Sequence, residues 1–139
     1  MKRHLLTALI IFAATASLNP VVNAQNGGAV EDLTANELKT LAANGLPYYQ
    51  ALLSNCWRRG DYPGIPMEYE AAVKWGKLAD ASGDPLGRYC MAVMNDNGIG
   101  VKADPESASK IFTEVFPELL QSADKSGDPE YCYAVGYMY

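Results

Sequence analysis

The chain has 139 residues, 16 acidic against 11 basic side chains, and a formal net charge of −5. That balance disfavours nucleic acid and anionic membrane surfaces as partners, since both are gripped through Lys and Arg. The one histidine, His4, sits at the extreme N-terminus, so nothing downstream supplies a His base, a His metal ligand or a Ser-His or Cys-His nucleophile pair.

Along the chain, Lys2 and Arg3 precede an apolar run over residues 5–18, a polar turn at Asn19-Pro20 and the small-residue exit Val22-Asn23-Ala24. This order predicts a secretory signal peptide, residues 1–24, and an exported protein, periplasmic or secreted, cut after Ala24. The apolar run is short for a spanning helix, which needs roughly 20 apolar residues, so no membrane insertion is expected after cleavage. About 115 residues remain, enough for one small domain. Residues 25–33 read as a flexible lead-in.

Cys56, Cys90 and Cys132 remain in the mature chain, and an odd count leaves at least one thiol over. None forms a C-x-x-C pair, and each lies in an apolar helical stripe, which predicts buried packing.

Thr34-Ala35-Asn36-Glu37 is a capping box, and Leu33 with Leu38 supplies a hydrophobic staple. The pattern predicts a capping helix over residues 34–45. The strings Gly45-Leu46-Pro47, Gly83-Asp84-Pro85 and Gly127-Asp128-Pro129 then recur at spacings of 38 and 44. Gly past a helix end followed by Pro at the next first turn marks a helix-to-helix corner.

After the first corner Tyr49, Leu52, Leu53, Cys56 and Trp57 repeat at helical spacing. After the third, Tyr131, Ala134, Val135, Met138 and Tyr139 do the same; Leu86, Tyr89, Cys90, Val93 and Met94 run one residue earlier. Second helices are predicted to start near Met67, with Glu68 and Glu70 in the first turn, and at Asp104-Pro105. The extra spacing falls over residues 113–120, about two helical turns. Pro117 inside it is expected to kink or restart the helix. The domain therefore reads as an all-α solenoid of antiparallel helix-turn-helix pairs. It has a repeat over 46–83, a repeat with an insert over 84–127 and a partial repeat over 128–139.

The run from Glu68-Tyr69-Glu70-Ala71-Ala72-Val73-Lys74-Trp75 to Gly83-Asp84 resembles the second helix of a Sel-one-like repeat, a relative of the tetratricopeptide repeat. Gly98-Ile99-Gly100-Val101-Lys102-Ala103-Asp104 resembles that family's loop, and Ala134-Val135-Gly136-Tyr137-Met138-Tyr139 its first-helix signature. Ser54 and Ala92 stand where the family has Gly. The resemblance covers about residues 46–139 and implies a right-handed superhelix. In the family the pattern continues past Tyr139 into another helix, which predicts a truncated product or a face that docks another chain. Self-association through residues 129–139 is one form of that docking.

Candidate chemistry is sparse. Ser107-Ala108-Ser109-Lys110 and Ser122-Ala123-Asp124-Lys125 match the S-x-x-K spacing of serine β-lactamases, without their S-D-N or K-T-G partners. Some exported cysteine-rich relatives are described as binding or hydrolysing β-lactams, so the resemblance keeps that activity as the alternative. A calcium loop through Asn95, Asn97 and Glu106 fails, because Ile99 falls on a ligand position. The acids read as scattered over solvent faces. No catalytic residue, metal or cofactor is expected.

In stacked hairpins the first helices line a concave binding face, and Tyr and Arg are enriched at hot spots. Tyr48, Tyr49, Arg58, Arg59, Arg88 and Tyr89 are therefore the candidate binding residues, with a protein or peptide as the expected partner. The expected function is a non-enzymatic adaptor.

Overall fold

The computed structural model describes residues Leu33–Tyr139. The predicted signal peptide and all but the last residue of the lead-in lie outside them. The described residues form an all-α domain: α1 (Ala35–Ala43), α2 (Pro47–Arg59), α3 (Tyr69–Ala81), α4 (Pro85–Asn97), α5 (Pro105–Ser126) and α6 (Pro129–Met138). None of these helices is long and apolar enough to cross a membrane.

Local chemistry sets the helix ends. Thr34 and Glu37 form the reciprocal capping box, with the Thr34 N–H and hydroxyl each donating to the Glu37 carboxylate at 2.8 Å. Those bonds hold the Glu37 carboxyl below its ordinary range. The cap therefore stabilises fully above the unfolded-state value and fades as pH falls through the lowered folded one. α2, α4, α5 and α6 start with Pro at the first helical turn, where a missing N–H costs nothing. Asp84, Asp104 and Asp128 cap the last three of these, accepting from the backbone N–H of Gly87, Ser107 and Glu130. Glu68 lies outside α3, not in its first turn as expected; it is the N-cap and accepts from the N–H of Glu70 and Ala71.

Pro117 does not restart its helix. α5 runs unbroken for 22 residues, against 13 in α3. Proline frees the carbonyl four residues back, that of Thr113, and both residues lie on the exposed side of α5, where water can satisfy it.

Each helix packs on the next along the chain, and α2 with α4 and α4 with α6 also pack together. The core draws on the predicted stripes: Leu52, Leu53 and Cys56 from α2; Leu86, Tyr89, Cys90, Val93 and Met94 from α4; and Ala134 from α6, where Tyr131, Val135 and Met138 are only partly buried and Tyr139 is exposed. α3 contributes Ala72, Val73 and Ala79, and α5 contributes Val115 and Leu119. Each fully buried Leu contributes about 1.5–3 kcal/mol relative to exposure.

All three cysteines are free thiols. Cys56 and Cys90 are buried as expected, but Cys132 is exposed, which corrects the expectation of buried packing for it: it lies off the Tyr131, Ala134, Val135 stripe of α6. The Cys90 thiol donates to the Ala51 carbonyl. Burial pushes the Cys56 thiol up to about 12 and raises Cys90 as well. A disulfide-exchange reagent at pH 8 should therefore titrate one thiol in the native protein and three in denaturant. Fast reaction of a second native thiol would show that the α2–α4 core opens.

Candidate functional site

The six residues singled out on α2 and α4 divide into core and lattice. Tyr49 and Tyr89 are core side chains, which removes them from direct partner contact. Their positions belong to the same i, i+3, i+4 stripe as Leu52, Leu53, Cys90 and Val93, and that stripe faces the neighbouring helices. Tyr48 is half-buried, and its hydroxyl donates to Asp128 Oδ2 at 2.6 Å. Its ring meets Tyr49 edge-on at 5.1 Å and lies tilted on Tyr131 at 5.7 Å. Burial, and then the bond to Asp128, raise the Tyr48 hydroxyl well above its ordinary value.

The arginines are occupied. Arg59 donates from both terminal nitrogens to Glu130, at 2.9 and 3.1 Å, and from Nε to Asp61. Its guanidinium also lies 5.2 Å over the Tyr133 ring. Arg58 donates to Asn55 Oδ1 at 3.2 Å, and Arg88 pairs with Glu114 of α5. Asn55, fully buried, donates to Glu130 Oε1 at 2.6 Å.

Side chains of α2 and α6 thus meet through Tyr48–Asp128, Asn55–Glu130 and Arg59–Glu130. The expectation that the acids lie on solvent faces is corrected here: Glu130 is buried, and ionic and amide partners hold it there. No local signal marked it, since its partners Asn55 and Arg59 lie 75 and 71 residues away. The Tyr89 hydroxyl and Arg58 Nε are buried close to this cluster without a hydrogen-bond partner among the described residues. Burial raises the Tyr89 hydroxyl, and the charge of Arg58 partly opposes the shift.

Beyond this cluster, exposed large side chains occur on or beside α3 (Met67, Tyr69, Leu78), on α5 (Leu120) and at the C-terminal end, where Tyr133 and Tyr137 of α6 are 48% and 43% exposed and Tyr139 just past it is 98% exposed. Beside them, α5 and the end of α6 form a groove of about 500 Å³ lined by Phe112, Phe116, Pro117, Met138 and Tyr139 with Ser109 and Thr113. None of the lining residues is charged.

The S-x-x-K strings are built into helix structure. The Ser122 hydroxyl donates to the Glu118 carbonyl at 2.9 Å, and the Ser107 N–H is capped by Asp104. Lys110 and Lys125 are exposed. Asn97 Nδ2 donates to the Val93 carbonyl and the Tyr137 hydroxyl, and the Asn95 carbonyl accepts from Asp104 N–H. Asn95 therefore serves the α4–α5 turn, and Asn97 ties the end of α4 to α6. Among the described residues no group of three or more His, Cys, Asp and Glu side chains is placed to hold a metal ion.

Comparison of the chain with protein-family models, with curated proteins and with solved structures finds no match in any of the three.

Proposed function

We propose that the chain is a non-enzymatic scaffold that binds a polypeptide through the surface of stacked helical hairpins, as a right-handed solenoid of Sel-one-like repeats. The carrying observation is the cluster of exposed tyrosines on α6 beside an uncharged groove. Tyrosine presents large contact area at low conformational cost and is enriched at binding hot spots. In this reading α2 and α4 supply the rigid support: Tyr48 and Arg59 tie α2 to the start of α6, Arg58 bonds within α2, and Arg88 ties α4 to α5.

The basic head, apolar run and small-residue exit of residues 1–24 support export, so the working form is a periplasmic or secreted protein beginning at Gln25. The test is affinity capture from the exported fraction of the host, comparing wild type with a Tyr133→Ser/Tyr139→Ser protein of unchanged melting temperature. A polypeptide retained by the first and lost by the second is the expected result. Equal retention by both, or none by either, overturns this surface.

A further inference from the structure

We propose that Asn44 is a site of spontaneous backbone modification, converting to isoaspartate through a cyclic imide with Gly45, while Asn97 before Gly98 is protected by the fold. The proposal is independent of the scaffold reading.

The reaction needs an asparagine followed by a residue whose own nitrogen is uncrowded, and glycine, without a Cβ, meets that need best. Glycine follows asparagine three times in the chain, at Asn26, Asn44 and Asn97, and the first pair lies outside the described residues. The Gly45 backbone nitrogen gives its proton to solvent and attacks Asn44 Cγ. The new N–Cγ bond closes a five-membered ring as the Cγ–Nδ2 bond breaks. Ammonia departs, taking a proton from solvent in place of the one Gly45 gave up. Water then opens the ring at either carbonyl and leaves isoaspartate or aspartate. Water is the only co-reactant, and nothing is oxidised or reduced.

Both described pairs stand at a helix end, but the fold treats them differently. Asn97 is the last residue of α4, and its side-chain amide is occupied. Nδ2 donates to the Val93 carbonyl at 2.9 Å and to the Tyr137 hydroxyl at 3.1 Å. Swinging Cγ onto the Gly98 nitrogen would break both bonds. The turn beyond is closed as well. Gly98 and Ile99 both donate to the Met94 carbonyl, and the Asp104 N–H returns to the Asn95 carbonyl at 2.8 Å. A Cβ on Gly98 would lie 3.3 Å from the Ala103 Cβ.

Asn44 has none of this support. It is the exposed C-cap of α1, and its side-chain amide makes no hydrogen bond to any described residue. Gly45, at φ 84°, has nothing within 4 Å of where a Cβ would stand, so the corner can turn its nitrogen toward Cγ without a clash. One bond resists that turn, from Gly45 N–H to the Ala42 carbonyl at 3.0 Å. It lies at a helix end open to water, the part of a helix that frays most readily. The product puts a carboxylate at the negative end of α1, whose last turn carries no basic residue. It also lengthens the backbone by a methylene close to the Ala42 carbonyl, to which Gln50 of α2 donates.

In the test, the purified protein is held in warm, mildly alkaline buffer. Peptides covering the two corners are then followed by mass spectrometry, with fragmentation that separates isoaspartate from aspartate. Asn44 is expected to convert at least about tenfold faster than Asn97, with isoaspartate the larger product. In denaturing urea the two are expected to convert at similar rates, since both precede glycine. No conversion at Asn44, equal rates in the native protein, or a contrast that survives in urea overturns the inference. Aspartate without isoaspartate also overturns it, by replacing the ring with direct hydrolysis.

Discussion

Gly87→Ala is expected to destabilise the domain by about 3 kcal/mol, although alanine is the better helix former at any open helical position. Gly87 lies on α4 where it crosses the last turn of α3. A Cβ there would sit 2.5 Å from the Ala79 Cβ, 2.6 Å from the Ala79 carbonyl carbon and 2.8 Å from the Asp80 nitrogen. Two of these three are backbone atoms, which cannot rotate away as a side chain can.

Nor can the two helices separate cheaply. They are joined by the short corner through Gly83 and Asp84; the Asp84 N–H donates to the Ala79 carbonyl, and the Asp84 carboxylate accepts from Gly87 N–H at 2.9 Å. The propensity gain of up to about 1 kcal/mol is therefore outweighed by overpacking. In a domain of this size the melting temperature should drop by roughly 10–20 °C. Gly136→Ala is the control: helical, with open space around it, it should gain about 0.5–1 kcal/mol. Urea denaturation of both proteins decides the matter, and equal stabilities would refute the close α3–α4 approach.

The pair also shows what a sequence does and does not disclose. Gly83 and Gly127 were recognisable as corner glycines, because a Gly before Asp-Pro has few other uses; both adopt positive φ, at 74° and 63°. Thr34 and Glu37 were recognisable for the same reason, since a capping box is written within four residues. Gly87 carries no such mark. Its requirement comes from Ala79, eight residues away on another helix, and depends on a crossing geometry that helical periodicity does not specify.

Tyr49 and Tyr89 fail differently. Tyrosine suits both core and interface, so residue type left the choice open, and only their shared stripe with Leu53 and Val93 pointed inward. The all-helical class was legible from three copies of one apolar face. The α2–α6 cluster was not, because it joins first helices two hairpins apart.

That cluster yields the second large expectation: Glu130→Ala should cost about 2–3 kcal/mol, read as a lower urea midpoint at unchanged slope. The Glu130 carboxylate accepts from Arg59 Nη1 and Nη2 and from Asn55 Nδ2, and Asn55 is fully buried. Removing it strands an amide donor and loosens a guanidinium in a site that water enters poorly. The loss stays below that of a wholly buried pair because Arg59 is 21% exposed and keeps Asp61.

Asp61 itself is mostly exposed, so Asp61→Asn should change stability by less than about 1 kcal/mol. Arg59→Met added to Glu130→Ala should restore part of the loss, since an apolar pair no longer leaves a charge without its partner. A double variant as unstable as the sum of the two single ones would show that Glu130 acts through packing alone. In that case α6 would be held to α2 by Tyr48 and Asp128, and the tie near Arg59 would not set the orientation in which α6 presents Tyr133.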